Sequence, residues 1–226
     1  MNMKQVTMMM RVLNKDKDSA VIKLERLLEE DSLFLNVKEH LFSGGLIVAP
    51  TETRYGILGR ADLPDVIDNL YTIKNRERNL PLSLFVSSLS QLWETGKKTR
   101  TAELLAKKFL PGPLTLVLEN KSSVDKRIIL NGKVGIRLSS SLLIQKLTRS
   151  LGIPLSATSA NISGEKELSS IQEIYDAFGR GIDYYIDSGL LTGETSTVVD
   201  CTKDEVIIIR EGKIKTAEIE KAVIES

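Results

Sequence analysis

The sequence predicts an α/β fold, a single domain built on a twisted, open, mixed sheet flanked by helices. Short runs of β-branched and aliphatic residues alternate with longer stretches that repeat apolar residues at helical spacing. The 226 residues are 42% hydrophobic, which is enough for one sizeable core. The chain shows no internal repeat and no linker-like break, so one domain is predicted.

The helices are predicted from apolar spacing and from residues that start or stop them. Gly44 and Gly45 end the second helical pattern, and the third begins with Asp62 as its expected cap and Pro64 in its first turn. The apolar face of that third helix consists of Val66, Ile67, Leu70 and Tyr71. Helices are therefore predicted at 19–31, 35–45, 61–76, 101–110, 141–152 and 171–179.

The strands are predicted from short apolar runs that lie between turn residues. Pro111 and Pro113 separate a helix from the strand that follows, because proline cannot continue a helix. The last two runs are placed to form a hairpin around Lys203 and Asp204. Strands are therefore predicted at 46–50, 82–88, 114–119, 133–139, 153–160, 184–189, 195–202 and 205–214.

The N-terminal part is expected to be an addition to the main domain. Residues 1–35 are predicted to form an extension with a helix, and residues 36–226 the main domain. The cluster Met8–Met10 suits a short first strand, a disordered tail or a wrongly assigned start. No apolar run approaches the ~18 residues of a membrane span, and the N-terminal segment lacks a signal-peptide core, so a cytoplasmic protein is predicted.

Composition excludes several classes of chemistry. The net charge of +1 gives no overall field toward nucleic acid or anionic membrane, so RNA contact would need a local patch. A zinc site needs about four ligands and a hydrolase triad needs an imidazole, yet the chain has one Cys and one His. No metal-binding residue is predicted. Cys201 is expected to be a small buried hydrophobe, and His40 to be structural or solvated.

Two polar clusters follow a predicted strand or end a predicted helix, close to where open α/β sheets hold ligands. The first, "APTETRYG", places the Thr51 and Thr53 hydroxyls after a buried strand. The second, "IKNRERNLPL", brings Lys74, Arg76 and Arg78 to the end of a helix. Cations there suit either the phosphates of a ligand or the negative end of the helix dipole.

Two further clusters favour an anionic ligand. Arg137 lies between apolar neighbours in a strand, and a charge in that position should meet a protein carboxylate or a ligand. The stretch "ATSANISG" offers small residues, hydroxyls and backbone N–H groups that could approach a phosphate or ribose. It lacks the Gly-Lys-Ser/Thr of a Walker loop. A plain connection is the alternative for this stretch.

Taken together, these motifs resemble one known family. The chain contains in order "PTETRYG", "KNR" followed by "PL", "PGPLTLVL", "GIR", "SATSANISG", "STVVD" and "REG". This order is similar to that of the YrdC family, whose best-known members are threonylcarbamoyl-adenylate synthases. The resemblance covers roughly residues 40–215.

The resemblance implies a YrdC-like fold with a concave ligand groove and a defined reaction. L-threonine, bicarbonate and ATP would give threonylcarbamoyl-AMP and pyrophosphate, with Mg²⁺ accompanying the ATP. A downstream complex would transfer the threonylcarbamoyl group to tRNA. The chain ends soon after "REGKI", which matches the short form of the enzyme without the extra C-terminal domain.

The resemblance also implies roles for particular residues. The L-threonine site would be formed by Thr51, Thr53, Arg137, Ala157 and Ser196. The ATP site would be formed by Lys74, Arg76, Thr115, Ser159, Asn161, Ser169 and Arg210. Lys74 and Arg76 would act on the phosphates as the catalytic pair. Such a site needs no nucleophilic side chain, because it works by positioning, charge neutralisation and exclusion of water.

Some positions depart from the family pattern. Glu77 and Leu80 stand where Pro and Asn or Lys are usual, and Ser87 stands where many members have His. Arg54 replaces a usual Val, and the proline that commonly follows Arg137 is missing. The contacts at these positions are therefore left open.

Two alternatives to the synthase follow from the same motifs. A paralogue could keep the groove for RNA or nucleotide binding without threonine chemistry, using a basic patch made of Lys97, Lys98, Arg100, Lys107 and Lys108. A solvated helix face is the other explanation of that patch. The hydrogenase-maturing carbamoyltransferase shares the domain but needs Cys-rich zinc fingers, which one Cys excludes.

Overall fold

A computed structural model describes residues 20–225, and the described chain forms one mixed sheet flanked by helices. The ten strands are β1 Ala20–Lys23, β2 Ile47–Pro50, β3 Tyr55–Arg60, β4 Ser83–Phe85, β5 Leu114–Glu119, β6 Lys133–Arg137, β7 Leu155–Ser159, β8 Tyr184–Asp187, β9 Thr197–Asp200 and β10 Ile207–Arg210. Their order across the sheet is β1-β8-β2-β3-β7-β4-β6-β5-β9-β10. Parallel and antiparallel pairs both occur, which confirms the predicted α/β class with a mixed sheet.

Eight α-helices connect these strands within residues 20–225. They are α1 Leu24–Glu29, α2 Asp31–Phe42, α3 Pro64–Ile73, α4 Leu89–Thr95, α5 Arg100–Phe109, α6 Leu142–Leu151, α7 Ile171–Phe178 and α8 Thr216–Ile224. None of these helices has the length and hydropathy that a membrane crossing requires.

The sheet has apolar packing on both faces, because side chains alternate along each strand. In β2, Val48 belongs to the larger core cluster, whereas Ile47 and Ala49 belong to the smaller one. The smaller cluster receives apolar residues from α1, α2 and α6, and the larger cluster receives them from α3, α4, α5, α7 and α8. Helices on both faces leave the ends of the central strands available for a site.

The structure corrects the sequence-based assignment at two helix starts. Residues 20–23 form β1, which pairs in parallel with β8, although helical spacing predicted a helix from 19 to 31. The segment is short and β-branched, so pairing with a neighbouring strand outweighs the periodicity. At the start of α3, Leu63 is the cap residue and Asp62 instead pairs with Arg60, so the predicted cap is wrong.

Other predictions about the fold are confirmed, and three elements were missed. The β9–β10 pair is antiparallel, as the hairpin prediction requires. The apolar face predicted for α3 is buried. The sequence analysis did not predict β3, α4 or α8. Met8–Met10 and the rest of 1–19 lie outside the described residues, and the division at residue 35 stays a prediction.

Cys201 is buried as predicted, and His40, expected to be structural or solvated, makes local contacts. The Cys201 side chain is fully buried, and burial raises the pKa of its thiol to about 12. His40 Nε2 lies 3.3 Å from the Leu46 carbonyl oxygen and 3.1 Å from Asp183 Oδ2. Both residues therefore serve packing and local contacts.

Candidate active site

A polar cavity of about 260 Å³ opens over the part of the sheet that runs from β3 to β10. It lies beside the turn between β2 and β3 and along strands β4, β5, β6, β7, β9 and β10. Nine residues predicted for the site line it, namely Thr51, Thr53, Arg76, Thr115, Arg137, Ala157, Ser159, Ser196 and Arg210. Its wall also includes Arg54, Tyr55, Gly56, Pro81, Ser83, Phe85, Thr158, Glu167, Thr195 and Val198. The motifs predicted to form one site therefore do meet at one cavity.

The turn between β2 and β3 is held by the Thr51 hydroxyl. Thr51 Oγ1 accepts hydrogen bonds from the backbone N–H groups of Thr53 and Arg54, and it donates to the Arg54 carbonyl at 2.7 Å. A hydroxyl that bonds its own backbone in this way stabilises a tight turn. Thr51 therefore shapes the turn, and Thr53 presents its hydroxyl to Arg137.

Arg137 at the end of β6 is paired with a protein carboxylate. The residue is 6% exposed, and its Nη2 lies 2.9 Å from Glu52 Oε1 and 3.1 Å from Thr53 Oγ1. Its Nε donates to the Gly112 carbonyl at 3.3 Å. The sequence left open whether Arg137 meets a protein carboxylate or a ligand, and in this structure the carboxylate of Glu52 is present.

Glu52 is the most informative residue that the sequence analysis missed. Its carboxylate accepts hydrogen bonds from Ser139 Oγ and from the Ser140 backbone N–H, the latter at 3.0 Å. Burial raises the pKa of Glu52, but Arg137 and these donors outweigh it and hold the pKa below its usual range. The signal was available, because Glu52 stands inside the "PTET" motif and a buried arginine needs a counter-charge.

Lys74 lies behind the cavity as a buried cation. Its residue is 1% exposed, and its Nζ donates to the Ser159 carbonyl and lies 3.5 Å from Asn161 Oδ1. Burial lowers the pKa of Lys74 to about 7, and the charge of Arg76 contributes to the lowering. Lys74 is therefore close to half protonated at neutral pH, and a nearby anion would favour the charged form.

Asn75 stands between Lys74 and Arg76 at the end of α3. Helix α3 ends just before Lys74, and Asn75 has a left-handed backbone with φ of +48°. The Arg76 backbone N–H then bonds back to the Tyr71 carbonyl at 2.9 Å, which closes the helix end. Asparagine tolerates this conformation better than other side chains apart from glycine. The left-handed backbone therefore explains why asparagine suits the middle position of "KNR".

Replacing Asn75 tests this explanation. We expect Asn75→Val to lower the free energy of unfolding by about 1–2 kcal/mol, because a β-branched residue is strained at positive φ. Asn75→Gly should stay within about 0.5 kcal/mol of the wild type. Urea denaturation of the two variants measures both effects. A valine variant as stable as the wild type would contradict the account of this turn.

Arg76 lines the cavity and forms no ion pair with the residues 20–225 that the structure describes. Its Nε donates to the Leu80 carbonyl at 3.2 Å and its Nη2 to the Pro81 carbonyl at 2.9 Å. Arg78, the third cation of the motif, is exposed and forms an ion pair with Asp68 away from the cavity. The structure thus separates the basic trio into two site residues and one surface residue.

Hydroxyls and a guanidinium from β5, the start of β9 and β10 form another part of the cavity wall. Thr115 Oγ1 and Ser196 Oγ lie 3.0 Å apart across β5 and the start of β9. Arg210 Nη2 donates to the Ser196 carbonyl at 2.9 Å and to Ser196 Oγ at 3.2 Å. Burial lowers the pKa of Arg210, with Glu167 opposing the effect. Strand β5, the start of β9 and strand β10 therefore bring two hydroxyls and one cation to the cavity.

The stretch "ATSANISG" is divided between the cavity wall and the turn that supports it. Ala157, Thr158 and Ser159 line the cavity at the end of β7. Ser159 Oγ donates to Asn161 Oδ1 at 2.6 Å, and Asn161 Nδ2 donates to backbone carbonyls of the turn. Ser169 does not line this cavity, and its backbone N–H bonds the Glu173 carboxylate at 3.0 Å. Its role in binding ATP stays a prediction.

The basic patch is largely paired with carboxylates. Lys97 contacts Glu119 at 2.8 Å, and both Lys98 and Lys107 contact Glu103, at 2.9 and 3.2 Å. These pairs are at the surface and reduce the positive field that would attract RNA. RNA contact at this patch stays a prediction.

Comparison with known proteins finds relatives that belong to one family. A family model named Sua5_yciO_yrdC, described as "Telomere recombination", matches residues 39–212. A Methanocaldococcus jannaschii protein with the provisional name threonylcarbamoyl-AMP synthase is 33% identical over 197 residues, which cover 86% of this chain and 93% of that protein. A Pyrococcus abyssi threonylcarbamoyl-AMP synthase is 37% identical over 184 residues, which cover 80% of this chain and 54% of that protein.

Solved structures agree with this result. Pyrococcus abyssi Sua5 in complex with L-threonine superposes with a TM-score of 0.84 at 32% identity, over 90% of this chain and 60% of that chain. Escherichia coli YciO superposes with a TM-score of 0.81 at 25% identity, over 89% of this chain and 99% of that chain. The chain therefore spans nearly all of YciO and little more than half of Sua5.

Proposed function

This chain belongs to the Sua5_yciO_yrdC family, and we propose on that premise that it is a threonylcarbamoyl-AMP synthase. It would convert L-threonine, bicarbonate and ATP into threonylcarbamoyl-AMP and pyrophosphate. The observation that carries this proposal is the cavity itself, whose wall combines the guanidinium groups of Arg76, Arg137 and Arg210 with hydroxyls and strand-end backbone. Such donors suit a carboxylate at one end and a triphosphate at the other.

The threonine end of the cavity is assigned to the region around Arg137. The Arg137 guanidinium is held by Glu52 on one side and by Thr53 on the other, so its orientation is fixed before substrate arrives. Ala157 and Ser196 line the same cavity and would complete this end. The fixed guanidinium would bind the substrate carboxylate.

The nucleotide end is assigned to the remaining cations. Lys74, Arg76 and Arg210 would neutralise the phosphates, as expected for phosphoryl and nucleotidyl transfer. Thr115 and Ser159 line the wall beside them. Asn161 would act through Ser159, because its side chain accepts a hydrogen bond from Ser159 and does not line the cavity.

The reaction needs positioning more than acid–base groups. Bicarbonate takes up a proton and loses water to give CO₂. The threonine nitrogen then forms a bond to the carbon of CO₂ and loses a proton, which gives a carbamate. A carbamate oxygen then attacks the α-phosphorus of ATP, and the bond to the β-phosphate oxygen breaks, releasing pyrophosphate. Cations that neutralise the leaving pyrophosphate and a wall that limits water would favour both steps.

A magnesium ion would come to the site with ATP as its substrate complex. Residues 20–225 contain no group of three or more His, Cys, Asp and Glu side chains able to hold a metal ion. An ion bound mainly by phosphate oxygens and water needs few protein ligands. Among the residues that line the cavity, the carboxylate is that of Glu167, which contacts Arg54.

The cellular setting is proposed on the same premise. We expect the protein to act in the cytoplasm and to supply its adenylate to a complex that transfers the threonylcarbamoyl group to tRNA. Direct tRNA contact would use the residual charge of the basic patch and should weaken steeply with salt.

An omission assay tests the proposed function. We expect the purified protein to release pyrophosphate from ATP only when L-threonine and bicarbonate are both present. Omitting either should lower the rate at least about 100-fold, because the attacking carbamate cannot form. Equal release without threonine would contradict the proposal. ATP binding without any threonine-dependent turnover would favour the nucleotide-binding paralogue.

A further inference from the structure

Arg54 is a cavity residue whose side chain is only partly bonded. Its Nη1 donates to the Leu191 carbonyl at 3.3 Å. Its Nε is buried and, among residues 20–225, makes no hydrogen bond, although Glu167 Oε2 lies 3.3 Å away. A buried N–H without an acceptor is costly, and each such group needs an explanation. Arg54 is therefore a cation on the cavity wall with a free donor.

Glu167 lies among the cations of the nucleotide end. It lines the same cavity as Arg54, Arg76 and Arg210. Burial lowers the pKa of Lys74 and of Arg210, and the Glu167 carboxylate opposes the lowering at both. One carboxylate therefore compensates several cations at once. A carboxylate offers acceptor oxygens and negative charge, as a phosphate does.

We infer that Arg54 is a further phosphate-binding residue of this cavity, and that the Glu167 carboxylate occupies the phosphate position until a polyphosphate displaces it. The inference rests on the proposed function for the identity of the ligand, a nucleoside triphosphate. Once Glu167 leaves, Arg54 Nε gains the acceptor that it lacks. The ion pair between the two side chains is then replaced by a charged hydrogen bond to phosphate.

A purely structural ion pair would behave differently. The Arg54 and Glu167 side chains are 23% and 33% exposed, and pairs near the surface contribute little to stability. If the pair only fixed the loop after β7, removing Glu167 would leave phosphate binding unchanged or weaken it. If Glu167 competes with phosphate, removing its charge strengthens binding. The sign of the effect separates the two explanations.

Calorimetric titration with inorganic tripolyphosphate, without metal, measures this sign. We expect Glu167→Gln to tighten binding about fivefold or more, and Arg54→Met to weaken it about tenfold or more, the change expected when one charged hydrogen bond is lost. In the Arg54→Met background, Glu167→Gln should have a smaller effect, because the two residues act on one phosphate position.

Two matched controls keep the test specific. Glu165→Gln removes an exposed carboxylate from the same loop, and Arg149→Met removes an exposed arginine of α6 that does not line the cavity. Both should bind tripolyphosphate as the wild type does. Thermal unfolding of each variant checks that the fold is kept.

Three outcomes would overturn the inference. If Glu167→Gln binds tripolyphosphate no better than the wild type, Glu167 does not compete with phosphate. If Arg54→Met binds tripolyphosphate as tightly as Arg149→Met, Arg54 does not contact the phosphate. Weaker binding by Glu167→Gln only when Mg²⁺ is added would make Glu167 a metal ligand. Because tripolyphosphate needs no turnover, the inference can stand if threonine-dependent chemistry fails, and it can fail while that chemistry is observed.

Discussion

Replacing Arg137 by methionine is expected to lower kcat/KM for L-threonine by at least about 100-fold, the loss that follows when a charged hydrogen bond to substrate is removed. The guanidinium is held at the end of β6 by Glu52 and Thr53, and Arg137 lines the cavity. Methionine keeps most of the side-chain volume but none of the donors. Pyrophosphate release as a function of threonine concentration measures the effect.

The same variant should also be less stable, and this effect must be separated from catalysis. Removing Arg137 leaves Glu52 buried without its counter-charge, which costs about 3–5 kcal/mol. Adding Glu52→Gln should restore most of that stability without restoring turnover. A double variant with the wild-type KM for threonine would contradict the role of Arg137 in binding the carboxylate.

The second large effect is a pH dependence of ATP binding that comes from Lys74. Its pKa in the free protein is about 7, so below pH 7 the ammonium is already charged. Above pH 7 the protein must take up a proton when the phosphates bind. We expect ATP affinity to fall about tenfold for each pH unit above 7, until the pH reaches the pKa of Lys74 in the complex. Calorimetry without threonine and bicarbonate measures this profile.

Lys74→Met supplies the control for that profile. This variant should bind ATP more weakly. The pH dependence of its ATP affinity should come only from the ligand and from groups other than Lys74. If the wild type and Lys74→Met gave parallel profiles, Lys74 would not be the titrating group. Buffers of different ionisation enthalpy would also report the proton taken up by the wild type.

The lowered pKa also predicts how stability varies with pH. An unfolded lysine titrates at 10.5, whereas folded Lys74 titrates near 7, so the unfolded chain binds more protons in between. Relative to Lys74→Met, the stability of the wild type should therefore rise from pH 7 to 10.5, and be lost again as the pH falls back through 7.

The sequence predicted much of the fold because local signals agreed with the final packing. The strand β5 has the predicted limits, since "LTLVLE" is apolar and follows a proline turn. Helical spacing predicts a helix where β1 lies, because the partner strand β8 lies far away in sequence. Long-range pairing of this kind leaves no local signal.

The site could be predicted only where the motifs themselves carried the residues. The family motifs indicated Thr53, Arg137 and Arg210 as site residues, and all three line one cavity. Glu167 follows no strand end and belongs to no motif, so no sequence signal indicated it. The sequence showed Arg54 as a departure from the family pattern. Its partner Glu167 lies 113 residues later in the chain, so the pair could be identified only from the fold.

If the chain is a threonylcarbamoyl-AMP synthase, carbon from bicarbonate enters an adenylate of threonine. The most direct measurement is the mass of the product made from ATP, L-threonine and ¹³C-labelled bicarbonate. We expect threonylcarbamoyl-AMP that carries the label and is heavier by one mass unit than the unlabelled product. An adenylate without the label, or a product that contains no threonine, would contradict it.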